Sequence, residues 1–166
     1  MKISFLYGAD IATWFRLLRQ HNFRIHWRNW PTLWLHLAIA VFNSLAGLPE
    51  RWKKHKQDPL KPVFIVGHWR SGTTHLLNLL TADGQYVAPN TFQAAFPHIF
   101  MNWEKRLAPL FDKMGPGERL MDRMAMHMHS PQEEEIGLAA LGAPSSYLAI
   151  HFPHDRERYR SHVSFA

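Results

Sequence analysis

The 166-residue sequence has no cysteine and few charged residues, and both deficits limit what the protein can do. Without cysteine the chain forms neither disulfides nor thiolate metal sites, which fits a cytoplasmic location. Charged residues make up 19% of the chain, with a formal net charge of +6. A basic balance favours anionic ligands, nucleic acid or a membrane surface. Because there is no basic repeat and no recognition module, we expect no nucleic-acid partner.

The sequence also lacks an uninterrupted apolar run long enough to predict a transmembrane helix. Trp34 to Leu45 is apolar apart from three residues, whereas a membrane span needs about 20 residues. Basic residues flank this segment on both sides, so the flanking charge does not predict which end of a membrane helix would face the cytoplasm. Two interpretations stay open. We favour a helix packed on the domain core, and the alternative is a helix that contacts a membrane surface peripherally through residues 31–47.

Histidine is abundant, with 12 residues, but its spacing does not indicate a metal site. The nearest pairs are His127 with His129 and His151 with His154. Neither pair has the i, i+4 helical spacing and neighbouring acid of zinc hydrolases. We therefore expect no bound metal.

What the sequence does contain is a glycine-bounded loop between an apolar run and an apolar helix. Residues 63–74 read VFIVGHWRSGTT. The first four predict a strand that ends at Gly67, and residues 72–74 open a helix with leucines at helical spacing. Unpaired N–H groups and the helix dipole at such a helix start favour a bound phosphate or sulfate.

The loop has the spacing of a P-loop without its lysine. Gly67 and Gly72 take the two glycine positions and Thr74 the hydroxyl position, but Thr73 stands where a P-loop has lysine. That lysine reaches the outer phosphates of a nucleoside triphosphate, so its absence argues against a P-loop kinase or NTPase, which stays open as an alternative. Arg70 supplies instead a planar fork of donors suited to a tetrahedral oxyanion.

With its flanking residues, the loop resembles the 5′-phosphosulfate-binding loop of sulfotransferases that use 3′-phosphoadenosine 5′-phosphosulfate (PAPS). The resemblance is to the bacterial branch related to tyrosylprotein sulfotransferases, and residues 130–135 (SPQEEE) are similar to that branch too. It implies metal-free transfer of a sulfuryl group from PAPS to an acceptor hydroxyl or amine, with Arg70 stabilising charge on the leaving oxygen. The implied donor-binding residues are Gly67, His68, Trp69, Arg70, Ser71, Gly72, Thr73 and Thr74.

The order of predicted elements indicates an α/β protein with a P-loop-like parallel sheet and flanking helices. We expect a helical N-terminal extension over residues 1–58, with helix starts at Asp10 and Pro31, and the α/β domain over residues 59–166. After the loop helix, the pattern predicts a second strand over residues 86–88. Further helices are predicted over residues 92–100, 103–114 with an interruption at Pro109, 118–128 and 155–163.

Sulfuryl transfer needs a general base for the acceptor proton, and residues 130–135 offer carboxylates. Ser130 and Glu133 form a predicted capping box at a helix start. Glu134 suits the helix dipole, whereas Glu135 lies near the buried face and needs a partner such as an arginine or a substrate hydroxyl. The candidate bases are therefore Glu135, then Glu134, and His75 beside the loop.

The resemblance covers only the donor-loop half of a sulfotransferase domain. Tyrosylprotein relatives carry a glutamate about two dozen residues after the loop, and the matching residues 89–92 hold no carboxylate. The family's arginine and serine for the 3′-phosphate are not recognisable in this sequence. We expect a truncated sulfotransferase, and an inactive fragment acting as a membrane-associated or interaction module stays open.

Overall fold

The structure, a computed structural model, describes residues 5–52, 61–68, 71–114 and 127–160. The described part of the chain is helical, with two additional 3₁₀ turns at Trp27–Asn29 and Pro153–Asp155. Its α-helices are α1 (Ile11–Gln20), α2 (Trp30–Ala46), α3 (Leu48–Trp52), α4 (Thr73–Ala82), α5 (Thr91–Ala95), α6 (Phe100–Met114), α7 (Glu134–Ala140), α8 (Leu148–His151) and α9 (Arg156–Arg160).

The N-terminal helices begin where their sequence signals predict. The Asp10 carboxylate accepts a 2.8 Å bond from the Thr13 N–H group, which caps α1. Pro31 lies in the first turn of α2. A backbone N–H group at this position has no acceptor within the helix, so proline loses no hydrogen bond there. Both predicted helix starts are confirmed.

The main core joins the N-terminal helices to the C-terminal ones. Trp14, Leu17 and Leu18 on one face of α1 pack with Ala40 of α2, and Ala139, Leu148 and Tyr159 complete the buried cluster. In a second layer, α5 packs between α6 and α7. Residues on both sides of the predicted boundary at position 58 thus share one core, and the division into residues 1–58 and 59–166 stays a prediction.

The predicted sheet has no counterpart among the described residues, where the only bridge given is an isolated antiparallel pair, Asn90 with Pro131. Residues 63–66 form no ladder there, and Phe64 and Val66 are about four-fifths exposed, at 80% and 81%. The predicted second strand at residues 86–88 is also unpaired. The α/β fold class therefore stays a prediction.

Two helix boundaries differ from the sequence-based predictions. The helix predicted over residues 92–100 ends at Ala95, because Pro97 disfavours helical geometry in the residue before it. The predicted interruption at Pro109 is wrong, since α6 runs through this exposed proline, where solvent can satisfy the carbonyl group left without a donor. Most of the helix predicted over residues 118–128 lies outside the described residues, and α9 falls within the predicted 155–163 helix.

One helical segment, Trp27–Glu50, is long and apolar enough to cross a membrane, judged by length and composition alone. The segment has 24 residues, and its most apolar 18-residue stretch has a mean hydropathy of 1.4 and is 22% buried.

Candidate functional site

The N-terminus of α4 has the backbone geometry of an anion site. Gly72 precedes the helix with φ of +90°, a left-handed conformation that favours glycine. The Leu76 N–H group donates to the Gly72 carbonyl oxygen at 2.9 Å, so the N–H groups before it have no acceptor within the helix. Because Gly72 is the N-cap residue and has no side chain, it does not cap the helix. The helix start is therefore suited to an external anion.

The loop before α4 is closed by hydrogen bonds of its own. The backbone N–H and hydroxyl groups of Ser71 both donate to the His68 carbonyl oxygen, at 3.1 and 2.6 Å. A Cβ atom on Gly67 would lie 2.7 Å from both the Ser71 Oγ and the Thr73 Cγ2 atoms, so glycine is required for this close approach. The donors of Ser71 thus shape the loop and do not point at a ligand.

The structure places most of the predicted donor-binding residues around one exposed turn. His68, Ser71 and Gly72 are exposed, and Thr73 and Thr74 are half-buried in the first turn of α4. His75 follows them with its side chain exposed. Trp69 and Arg70 lie outside the described residues, so their predicted roles stay predictions.

The glutamates at positions 133 to 135 have three different environments. The Glu135 Oε1 atom accepts bonds from the Ser145 hydroxyl at 3.1 Å, the Ser146 N–H group at 2.9 Å and the Ser146 hydroxyl at 2.6 Å. The Tyr147 hydroxyl donates to Glu133 Oε2 at 3.0 Å, whereas Glu134 is exposed. Glu133 and Glu135 therefore fasten the start of α7 to the segment that leads into α8.

The predicted capping box at this helix is wrong. Helix α7 begins at Glu134 with Glu133 as its N-cap residue, and no side chain caps it. The Ser130 hydroxyl instead accepts from the His127 N–H group at 3.1 Å, which closes a local turn four residues before the helix. Glu135, predicted to need a partner, has serine donors in that role, and its proposed catalytic role stays a prediction.

A polar cluster around Glu104 of α6 was not anticipated from the sequence. Its carboxylate accepts from Asn90 Nδ2 at 2.5 Å and from Gln93 Nε2 at 3.2 Å, and His129 Nδ1 lies 3.3 Å away. Asn90 and Gln93 also form a capping box that starts α5. Glu104 therefore brings a half-buried carboxylate to residues 89–92, the stretch that lacks one in the sequence.

A second buried cluster joins α1 to α9. The ring of His21 stacks on Phe152 with centroids 3.8 Å apart, while its Nδ1 atom bonds Asp155 and its Nε2 atom lies 2.6 Å from the Tyr159 hydroxyl. The hydrogen bond from His21 holds the pKa of Asp155 below its usual value, and burial raises the pKa of Tyr159. The cluster ties His21, the C-cap residue of α1, to the C-terminal helices.

The chain belongs to the sulfotransferase family, whose model matches residues 62–161. Two similar curated proteins are the omega-hydroxy-beta-dihydromenaquinone-9 sulfotransferases Stf3 of Mycobacterium bovis and Mycobacterium tuberculosis, each 34% identical over 166 residues. The alignment covers 94% of this chain but 41% of each relative, so the chain spans less than half of their length. No solved structure matches it.

Family membership confirms the resemblance drawn from the loop and from residues 130–135. The matched region includes the loop, α4, the Glu104 cluster and the Glu135 contacts. It favours sulfuryl transfer over the kinase or NTPase alternative, which the missing P-loop lysine already disfavoured. Within the described residues, no group of three histidine, aspartate or glutamate side chains is placed to hold a metal ion.

Proposed function

We propose that this chain forms the donor-binding part of a sulfotransferase that moves a sulfuryl group from PAPS to an acceptor hydroxyl or amine. The observation that carries the proposal is the family match over residues 62–161, which contains a glycine-initiated helix without a side-chain cap. The chain covers 41% of the length of its relatives, so sulfuryl transfer to an acceptor belongs to the proposal.

The loop residues fit the phosphosulfate end of this donor, which supplies the activated sulfuryl group when bound. Backbone N–H groups at Thr73 and Thr74 lie in the first turn of α4, where the helix dipole stabilises an anion. The fit is supported by Gly72, since no atom of the described residues beyond its own chain neighbours lies within 4 Å of where a Cβ atom on it would be. Arg70 has the planar donor fork that a tetrahedral oxyanion binds, and it stabilises the leaving oxygen.

The proposal assigns proton removal from the acceptor to a histidine or glutamate side chain of this chain. His75 is exposed in the first turn of α4, and histidine is the side chain that most often acts as a general base. Glu104 is the alternative that the structure adds, because its carboxylate lies beside Asn90. Glu135 is the less favoured candidate, since its Oε1 atom accepts three protein hydrogen bonds, and Glu134 has no such constraint.

The proposal also includes the parallel sheet, with residues 63–66 as the strand that leads into the loop. Support comes from their apolar, β-branched composition and from the exposure of Phe64 and Val66, side chains that a sheet with helices on both faces would cover.

For the acceptor, we favour a hydroxyl group on an apolar molecule, in the cytoplasm and next to a membrane. The relatives are named as sulfotransferases of omega-hydroxy-beta-dihydromenaquinone-9. Support in this chain comes from the exposed apolar side chains of α2, within the predicted peripheral contact at residues 31–47, and from the absence of cysteine.

The proposal is tested by incubating the protein with PAPS and an ω-hydroxylated menaquinone analogue, with EDTA present. Mass spectrometry should detect a sulfate ester of the analogue together with 3′-phosphoadenosine 5′-phosphate. A matched reaction with ATP and magnesium should give no phosphate ester. A phosphorylated product from ATP would overturn the proposal, and so would the absence of a sulfated product from PAPS if the protein also fails to bind 3′-phosphoadenosine 5′-phosphate.

A further inference from the structure

Helix α2 has an apolar outer face, whereas its inner face mixes polar residues with Leu33, Leu37 and Ala40, which pack in or against the core. His36 and Asn43 are buried, and Ser44 is half-buried. Exposed apolar side chains recur on the other side at helical spacing. This outer face consists of Trp34, Leu35, Ala38, Val41, Phe42 and Leu45.

Hydrogen bonds fix the inner face to the protein, so the outer face cannot rotate inward. Asn43 Nδ2 donates to the carbonyl oxygens of Tyr7 and Ala9, at 2.8 and 3.1 Å. The Ser44 hydroxyl accepts from the Ile11 N–H group at 3.0 Å. A helix at a water surface normally has polar side chains on its outer face. A contiguous exposed apolar face instead marks an interaction site.

The charge of the sequence before and after α2 indicates what covers the outer face. Residues 11–49 contain no aspartate or glutamate. The first 57 residues hold nine lysines and arginines and two acids, so the positive net charge of the chain resides there. Arg24 and Arg28 are exposed just before α2. This distribution complements an anionic lipid surface.

Tryptophan marks both ends of the outer face. Trp27 and Trp30 are exposed at its N-terminal end, and Trp52 is 85% exposed beyond its C-terminal end. The indole ring prefers the headgroup level of a bilayer, where its ring is apolar and its N–H group meets water. Aromatic side chains next to cations are typical of helices that lie on membranes.

A groove extends the outer face toward α6. It has a volume of about 510 Å³ and is lined by Leu45, Ala46, Pro49, Asn102, Trp103 and Arg106. The Arg106 guanidinium lies over the Trp103 ring, 5.8 Å from its centroid. A cation beside an apolar groove suits a lipid phosphate with its acyl chain alongside.

We propose that the outer face of α2 docks this protein on an anionic phospholipid bilayer, with the helix in the membrane plane. A spanning orientation is disfavoured because lipid would then have to surround a helix whose inner face bonds Tyr7, Ala9 and Ile11. In-plane docking buries only the outer face, at the boundary of headgroups and acyl chains. The inference does not depend on the proposed sulfuryl transfer.

The test is co-sedimentation of the protein with phosphatidylglycerol–phosphatidylcholine vesicles, without donor or acceptor. The test variant carries Leu35→Gln and Leu45→Gln on the outer face. The matched control carries Leu76→Gln and Leu79→Gln, two exposed leucines of α4. We expect the vesicle affinity of the test variant to be at least about tenfold lower than that of the native chain, because its substituted leucines would otherwise enter the lipid. The affinity of the control should be unchanged. Circular dichroism should show equal helicity in both.

Salt and alkali distinguish the orientation. Binding in the plane should weaken as sodium chloride rises, and an alkaline carbonate wash should release the protein. Retention through that wash would overturn in-plane docking in favour of a span. Equal binding of the two variants, no binding to anionic vesicles, or a dimer in light scattering that only the outer-face variant loses would overturn the proposal.

Discussion

Replacing Glu135 separates a structural role for this carboxylate from a catalytic one. Its Oε1 atom accepts three hydrogen bonds from Ser145 and Ser146. A hydrogen bond to a charged group contributes about 1.5–3 kcal/mol, but bonds that share one oxygen are coupled and do not add. Since Ser145 is only 2% exposed, its hydroxyl would lose its acceptor without access to water.

We therefore expect Glu135→Ala to lower the free energy of unfolding by about 2–4 kcal/mol. Glu135→Gln keeps an oxygen acceptor without the charge, and its loss should be about 1–2 kcal/mol. At about 2–4 °C per kcal/mol for a chain of this size, the alanine variant should melt roughly 4–16 °C lower. Thermal unfolding followed by circular dichroism measures both changes.

Glu134→Gln is the matched control, because it makes the same chemical change one residue away on an exposed side chain. Its effect should stay within about 0.5 kcal/mol. A desolvated catalytic base predicts the opposite result for position 135, since removal of a buried charge leaves stability unchanged or raised. Equal or higher stability of Glu135→Gln than of Glu134→Gln would refute the structural reasoning.

The other predictions concern capping, strain, pH and metal. Asp10→Ala should cost about 1 kcal/mol of stability in denaturant unfolding, through loss of the bond from Thr13 to the cap; no change would remove Asp10 as the cap. Gly72→Ala should cost about 1–2 kcal/mol in the same assay because φ there is +90°, and an unaffected variant would contradict that backbone. Burial lowers the pKa of His151 below its ordinary 6.5, so the stability present above that pH should fall on acidification through the lowered pKa. His151→Gln should flatten the decline in melting temperature between about pH 7 and 5, and an identical decline would exclude this histidine. Nucleotide binding in calorimetry should be the same with EDTA as with magnesium, and a strict magnesium requirement would favour the NTPase alternative.

Local signals in the sequence predicted the parts of the fold that depend on neighbouring residues. Asp10 precedes an amphipathic pattern and caps α1, and Pro31 opens α2. The start of α4 at residues 72–74 was predicted correctly because the leucines that follow recur at helical spacing. No such signal indicates which face of α2 turns inward, since its apolar residues surround much of the helix and only tertiary contacts decide which ones are buried.

Contacts between distant residues could not be derived from the sequence. Glu135 meets Ser145 and Ser146 only because the chain reverses after α7, where Gly142 has φ of +67°. Glu104 reaches Asn90 only through the packing of α6 against α5. The capping box at Ser130 failed for a local reason, because the Ser130 hydroxyl accepts from the His127 N–H group three residues earlier and does not cap α7.

The central claim is that the loop at residues 67–74 binds the sulfuryl donor, and calorimetric titration with 3′-phosphoadenosine 5′-phosphate tests it most directly. We predict metal-independent binding to the native chain, with affinity at least about tenfold lower in Arg70→Ala, since a charge-assisted hydrogen bond is worth about 1.5–3 kcal/mol. Arg70→Lys should recover only part of it, because the ammonium group lacks the planar fork. No binding to the native chain, or equal affinity in a folded Arg70→Ala variant, would contradict the claim.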